Sequence, residues 1–352
     1  IDYSDSSTEP SLLLEPQSTN LITYSSDFSQ SVWRKRTSDS TQVPVITNNY
    51  AISPDGTQNA TRVFITPPTS DTDYAVVDNF TSITKNVGDK FTSSVYVKAN
   101  GSSQIGKKIN LYQFEGDYSS VLTHSLTDNW VRLKLTNVMG LVTGNMETLV
   151  IGKARSSVGG SSLSDMATDF LIAFAQFEQQ SYATSYIPTS GSTATRLGET
   201  ANNAGGAGVF NSEEGVLYAE IAALASQVSY RYIALTDGTT SNRVDIIYRG
   251  DSSNVITSRL TVGGTAVARY DITIDNELNY NKFALSWKLN EVKFFINGTQ
   301  QGNTDTNANV PPPNTFNELL FDRGDGNENF YGKVKNLKVF NYALTDEELQ
   351  TL

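Results

Sequence analysis

The feature that most constrains this chain is its succession of short apolar runs separated by turn residues. From about Asn20 to Pro188 they include "TRVFI", "YAVVDNF", "KFTSSVYVKA", "KINLYQF", "NWVRLKL", "TLVIGKA" and "DFLIAFAQFE". Several alternate apolar and polar residues, as a strand with one face in a core does. A second series starts at Val209 with "GVLYAEIAAL", "RYIALTDG", "RVDIIYRG", "VITSRLTVGGTAVARYDI", "KFALSWKLN" and "EVKFFINGTQQG". The predicted fold class is all-β: two β-sandwich (jelly-roll) domains in tandem with a short C-terminal helix.

At 352 residues the chain exceeds one small core, and length favours two domains. Residues 189–208, "TSGSTATRLGETANNAGGAG", hold almost no large apolar side chain and read as a linker. The expected boundaries are an extended connector at 1–19, a first sandwich at 20–188, the linker at 189–208 and a second sandwich at 209–352. The chain starts at Ile1 without Met or a signal-peptide pattern, which reads as a processed product or an excised piece. Pro16 biases Glu15 away from helix, and Asn20 to Trp33 is expected to lay down the first strand.

Local signals are clearest in the second half. Gly263-Gly264 separates two alternating runs, and Asn297-Gly298 follows "VKFFI", where Asn-Gly supplies the positive φ angles of a tight hairpin. Val292, Phe294 and Ile296 would share one strand face. Thr345 and Glu348 form a capping box ahead of a short helix with Leu349 and Leu352 on its apolar side.

Charge and composition exclude several classes. The net charge is −11 and the basic residues are scattered, so no positive face suits a nucleic-acid backbone. There is no cysteine, hence no disulfide framework and no cysteine metal site. No apolar run is long enough to cross a bilayer; "FLIAFAQF" at 170–177 is the size of one buried strand. Neither nucleic acid nor membrane insertion is expected.

The segment "IDYSDSSTEPSLLLEPQSTNLITYSSDFSQSVW" resembles one in tail-fibre and receptor-binding proteins of bacterial viruses and prophages, with Glu15, Pro16, Gln17, Asn20, Leu21, Tyr24, Ser25, Phe28 and Trp33 as the matching residues. There it leads into a carbohydrate-binding-module-like jelly roll. "SPDGTQNATRV" at 53–63 continues the match, and "AQFEQQSYATSYIPTSGSTATR" at 175–196 is similar to the closing segment of such modules. From Val209 on, "KFALSWKLNEVKFFINGTQQG" and "FYGKVKNLKVFNYALTDEELQTL" look like a concanavalin A-like or laminin-G-like lectin domain. The resemblance implies a carbohydrate-binding protein of a virion tail or the extracellular space, with a polysaccharide or cell-surface glycan as partner, other tail proteins as further partners, and a homotrimer by fibre analogy alone. Calcium is the one cofactor it brings into view, through loops that in laminin-G-like domains sometimes hold calcium or sugar.

Catalysis loses on inventory. A retaining glycosidase needs two carboxylates about 5 Å apart, and the nearest fragment, Glu115-Gly116-Asp117, lacks the second glutamate and lies in the first domain. "QIG" at 104–106 is the sole echo of a polysaccharide-lyase motif, and His124 is the only histidine, with no triad assembled around it. Sugar binding needs aromatic faces beside polar groups. Tyr112, Phe114 and Tyr118, interleaved with Gln113, Glu115 and Asp117, form such a set, the alternative being that alternate members enter the core. Trp33, Trp130 and Trp287 are assigned to the core. In the second domain Asn242, Arg243, Tyr248 and Arg323 are candidate sugar contacts, and Asp237, Asp245, Asp322 and Asp325 are candidate metal ligands, oxygen donors being suited to calcium. Solvated turns are the alternative. Arg323-Gly324-Asp325 also spells an integrin-type tripeptide, which chance explains.

The function expected is a non-catalytic carbohydrate-binding adhesin or receptor-binding module of a phage-like particle. The alternatives are an accessory or catalytic part of a polysaccharide-degrading enzyme, and a structural virion protein.

Overall fold

The structure, a computed structural model, describes residues 10–38, 43–66, 70, 73–114, 118–140, 144–154, 167–202, 204–226 and 229–352. It is built almost wholly of strands: β1 (Leu12–Leu14), β2 (Ser18–Asn20), β3 (Trp33–Thr37), β4 (Val45–Ala51), β5 (Ala60–Ile65), β6 (Ala75–Ile83), β7 (Lys90–Ala99), β8 (Lys108–Phe114), β9 (Tyr118–Ser125), β10 (Val131–Val138), β11 (Gly144–Lys153), β12 (Thr168–Glu178) and β13 (Ala194–Arg196). They are followed by β14 (Gly215–Ala223), β15 (Arg231–Thr236), β16 (Arg243–Tyr248), β17 (Val255–Val262), β18 (Thr265–Thr273), β19 (Asn281–Lys288), β20 (Glu291–Ile296), β21 (Thr299–Asp305), β22 (Glu318–Leu320), β23 (Gly332–Phe340) and one α-helix, α1 (Asp346–Thr351). No helix among the described residues is long and apolar enough to cross a membrane.

Two compact units divide the chain, one over Gln17–Leu197 and the other made of the segment through Pro16 together with Gly198–Leu352. In the first unit, sheets of order β10-β7-β12-β5-β4 and β3-β6-β11-β8-β9 close over one core. Phe28 and Trp33 meet there at 4.6 Å between ring centroids, and Phe91 stacks on Phe177 at 5.1 Å. The run 170–177 becomes the buried β12, flanked by β7 and β5.

The N-terminal and C-terminal ends of this unit are joined by side chains from the two matching motifs. Asn20 is fully buried; its Nδ2 donates to Ala175 O at 3.1 Å and Ile187 O at 2.9 Å, while its Oδ1 accepts from Ile22 N at 3.1 Å and Phe177 N at 3.2 Å. Glu178 accepts from Ser18 Oγ at 2.6 Å and Thr184 N at 3.1 Å. Gln176 Oε1 accepts from Ile187 N at 2.6 Å. Every one of these polar groups would be costly if buried alone. The recurring Asn, Gln and Glu of the motifs therefore act as a polar clasp for a segment with too few apolar residues to hold itself.

In the second unit, sheets of order β1-β23-β14-β19-β20-β21 and β18-β17-β16-β15-β22 share a core to which Val292, Phe294 and Ile296 all contribute from one face of β20. Trp287 meets Phe316 edge-on there at 6.0 Å. Asn297 and Gly298, with φ of 49° and 78°, turn β20 into β21, and Gly263 and Gly264, with φ of 57° and 82°, turn β17 into β18. Thr345 caps α1 in a capping box with Glu348. Buried Leu349 seats the helix on Val216, Tyr218, Ala284 and Phe295, contributing ~2 kcal/mol.

Four expectations are adjusted. Leu12–Leu14, expected in a connector, pairs along β23, with Leu14 in the core and Glu15 and Glu199 exchanging hydrogen bonds: Glu15 N to Glu199 Oε2 at 2.8 Å, Glu199 N to Glu15 O at 2.9 Å. Within 189–208, Ala194–Arg196 pairs with β2, since main-chain pairing needs no large side chain. Asn20 to Trp33 is not one strand; turns and bends fill the gap between β2 and β3, one of them fixed by Asp27 accepting from Ser29 N at 3.1 Å. Trp33 and Trp287 are core residues, but Trp130 is half-buried, its Nε1 donating to Ile52 O at 3.3 Å.

Candidate functional site

Strand alternation in the second unit builds a cleft. Ile233 and Leu235 of β15, Val244, Ile246 and Tyr248 of β16, and Ile256 and Leu260 of β17 all enter the core. Their neighbours Tyr232, Asp245 and Arg259 are therefore carried on the opposite face. A cleft of about 260 Å³ opens on that face, lined by Tyr230, Tyr232, Arg249, Arg259, Arg323 and Glu328 among others. Arg323 and Glu328 come from the loop that follows β22.

The register Asp245↔Arg259 places a fully buried carboxylate beside a guanidinium. Arg259 Nε donates to both Asp245 oxygens, at 3.1 and 2.9 Å. Arg243 Nε is 2.9 Å from Asp245 Oδ2 without being aligned for a hydrogen bond, and its Nη1 donates to Arg323 O at 2.9 Å. Burial pushes the Asp245 carboxyl up to about 6, opposed by Arg259 and Arg243. Two arginines therefore share one buried carboxylate beneath the cleft. At the rim, Arg323 Nη2 pairs with Asp325 at 2.7 Å, and this contact holds the Asp325 carboxyl down at about 2. The Tyr230 and Tyr232 rings lie 6.4 Å apart, with Arg249 over the first and Arg259 over the second, each at 5.8 Å. Tyr232 is only 6% exposed beneath Arg259, so the half-buried Tyr230 is the ring that could meet the apolar face of a pyranose, beside forked donors for its oxygens. Among the described residues, Glu328 is the one carboxylate lining this cleft, and paired carboxylates of the kind glycoside hydrolysis uses do not line it.

The residues singled out from sequence are dispersed. Tyr112 is only 2% exposed and belongs to the first unit's core, so it offers no sugar platform; Phe114 is half-buried against that core, and Gln113 is spent on Phe91 O and Leu135 O. Both faces of β8 are covered, which is why the expected aromatic set fails. Glu115, Asp117 and the Tyr118 side chain lie outside the described residues. Tyr248 is a core residue as well, 0% exposed with its hydroxyl donating to Ile221 O, and is corrected from sugar contact to core. Arg323 lines the cleft; Arg243 does not, being held by Asp245 and Arg323 O, and Asn242 ties two turns together, donating to Asp237 at 2.7 Å and accepting from Gly263 N at 2.9 Å.

The four candidate metal ligands are not brought together. Asp237 accepts from Thr239 N at 2.9 Å, Asp322 accepts from Gly324 N at 2.7 Å, Asp325 holds Arg323, and Asp245 holds Arg259. No group of three or more His, Cys, Asp or Glu among the described residues is placed to hold a metal ion. The Arg323–Asp325 pair closes the integrin-type tripeptide on itself. Tyr230, Tyr232, Arg259 and Glu328 were missed as site residues. The available signal was parity: in "YRYIALT" both tyrosines are out of step with Ile233 and Leu235.

His124 on β9 is half-buried, its Nε2 has no hydrogen-bond partner among the described residues, and burial pushes its pKa down. The unfolded chain then takes up a proton near pH 6.5 before the folded one does. Stability is fully present above that pH and is lost as pH falls toward the lower folded value. Denaturation midpoints of His124→Gln are expected to show a flatter pH dependence between 7 and 5 than the parent; an unchanged slope would assign the dependence to other groups.

With this geometry established, comparison with known proteins adds a family likeness for one unit. Residues 220–350 match the laminin G-type family described as the concanavalin A-like lectin/glucanases superfamily. No curated protein matches the chain. Among solved structures, the chain is similar to a SAP-like pentraxin from Limulus polyphemus, at 13% identity over 43% of this chain and 73% of that one, TM-score 0.32. It is also similar to the Ruminococcus gnavus IT-sialidase CBM40, at 18% identity over 40% and 82%, TM-score 0.33. Domain 4 of the arabinanase AbnA from Geobacillus stearothermophilus gives 14% identity over 46% and 72%, TM-score 0.33.

Proposed function

We propose that the chain is a non-catalytic carbohydrate-binding adhesin or receptor-binding module of a phage or phage-like particle, holding a polysaccharide or glycan of a bacterial surface. The observation that carries the sugar-binding part is the cleft with two tyrosines and several arginines, in the unit that matches a lectin/glucanase family. The viral part rests on the resemblance of the segments at 12–33 and 175–196. Such a module would act in a virion tail or outside the cell, with weak single sites strengthened by multivalent display in a homotrimer or fibre.

The test is a glycan array and a polysaccharide pull-down with the purified chain, with calcium and with a chelator, the supernatant being assayed for unsaturated products and reducing ends. Binding without product is expected, and chelation is expected to change it less than about twofold, Asp237, Asp245, Asp322 and Asp325 being engaged by arginine and main-chain donors. Product release would favour a polysaccharide-degrading enzyme. Silence toward every glycan, with tight binding to a tail protein, would favour a structural virion role.

A further inference from the structure

We propose that the Arg259 cleft binds the oxyanion of an acidic sugar, a carboxylate or sulfate carried on a pyranose ring. This rests on the carbohydrate-binding reading above and narrows it to a ligand class.

Three observations converge. First, Arg259 is only partly satisfied: Nε is committed to Asp245, but its two terminal nitrogens have no partner among the described residues, and the guanidinium lines the open cleft. Guanidinium is costly to desolvate and persists at such a place where an acceptor completes it. Second, Asp245 is shared between Arg243 and Arg259, so the carboxylate does not take up all the donors of either guanidinium, and a neutral sugar would leave the remaining charged donors of Arg259 unused. Third, Arg323 is held by Asp325 through Nη2 at 2.7 Å and Nε at 3.3 Å, while its Nη1 lies 3.5 Å from Glu328 Oε2, too long for a good hydrogen bond, so Nη1 is the donor an incoming oxyanion would take. Glu328 itself has φ of 55°, a left-handed conformation unusual for a non-glycine residue, at the edge of the cleft.

Tyr230, half-buried at the cleft, then meets the sugar ring to which the anion is attached. The chain's net charge of −11 repels a polyanion at long range. Selectivity for an acidic sugar must therefore come from fork contacts inside the cleft, not from steering.

The experiment is titration of the full chain with polygalacturonate, dextran sulfate and neutral dextran, for the parent, Arg259→Gln, Arg323→Gln and Glu328→Gln, with melting curves confirming that each variant folds. At least one anionic polymer is expected to bind tenfold or more tighter than dextran. Arg259→Gln and Arg323→Gln each lose about tenfold, the scale of a charge-assisted hydrogen bond, and Glu328→Gln gains severalfold because it removes a competing carboxylate. Should Arg259→Gln misfold, Arg323→Gln and Glu328→Gln, whose effects have opposite signs, decide. Preference between polygalacturonate and dextran sulfate assigns the anion as carboxylate or sulfate. Dextran bound as tightly as the anionic polymers overturns the proposal and leaves carbohydrate binding intact. Unchanged affinity in the variants, or no binding of either polyanion, also overturns it; glycan-array binding of neutral sugars then decides separately whether the broader reading stands.

Discussion

Replacing Asp245 with alanine is expected to destabilise the second unit by about 3–5 kcal/mol, the usual cost of removing one partner of a buried ion pair. Asp245 is 0% exposed, and the side chains of Arg243 and Arg259 are only 8% and 14% exposed, so losing the carboxylate leaves Arg243 and the Nε of Arg259 without their charged partner at a largely desolvated position. Asp245→Asn keeps one oxygen acceptor for Arg259 and is expected to cost less. Urea unfolding is the measurement, read separately for the two units, because a chain with two compact units need not unfold in one step. The loss should appear in the transition of the 198–352 unit alone. A shift under about 1 kcal/mol would show that the arginines are solvated without Asp245 and that the cleft floor is wetter than described.

Asn20→Ala is the second large effect, on the order of 4 kcal/mol and confined to the 17–197 unit. The substitution leaves the carbonyls of Ala175 and Ile187 without a donor and the N–H groups of Ile22 and Phe177 without this acceptor, all at a buried position. Each orphaned group costs about 1–3 kcal/mol unless water enters. Asn20→Asp is expected to cost at least as much near neutral pH, since it keeps the two accepting contacts but turns a buried carboxylate oxygen onto the carbonyls of Ala175 and Ile187. A neutral outcome for Asn20→Ala would mean that the motif residue serves something other than the clasp. Glycan binding at the second unit's cleft is expected to persist in this variant wherever the protein remains folded.

Much of the fold was legible because strands announce themselves locally. Alternation placed Val292, Phe294 and Ile296 on one face, Asn297-Gly298 and Gly263-Gly264 specified their turns, and Thr345 with Glu348 marked the helix start. What escaped was non-local. Leu12–Leu14 finds its partner in Gly332–Val334, and no local property of "LLL" points so far along the chain. The cleft was less legible for the same reason. Asp245 and Arg259 are brought together by the β16–β17 register, and Arg243 reaches Arg323 across 80 residues. The misassigned aromatics show how narrow the margin is. Tyr248 shares its parity with Val244 and Ile246 and goes inward, while Tyr232 alternates with Ile233 and goes outward. One position of phase separates a core tyrosine from a site tyrosine.

The most direct test of the cleft as the glycan site is hydrogen exchange of the chain with and without a bound oligosaccharide taken from the glycan array. Slower exchange in Arg231–Thr236, Val255–Val262 and the loop at 322–328 is the result predicted. Protection confined to the Gln17–Leu197 unit, with these segments unchanged, would contradict it and move the binding site to the other sandwich.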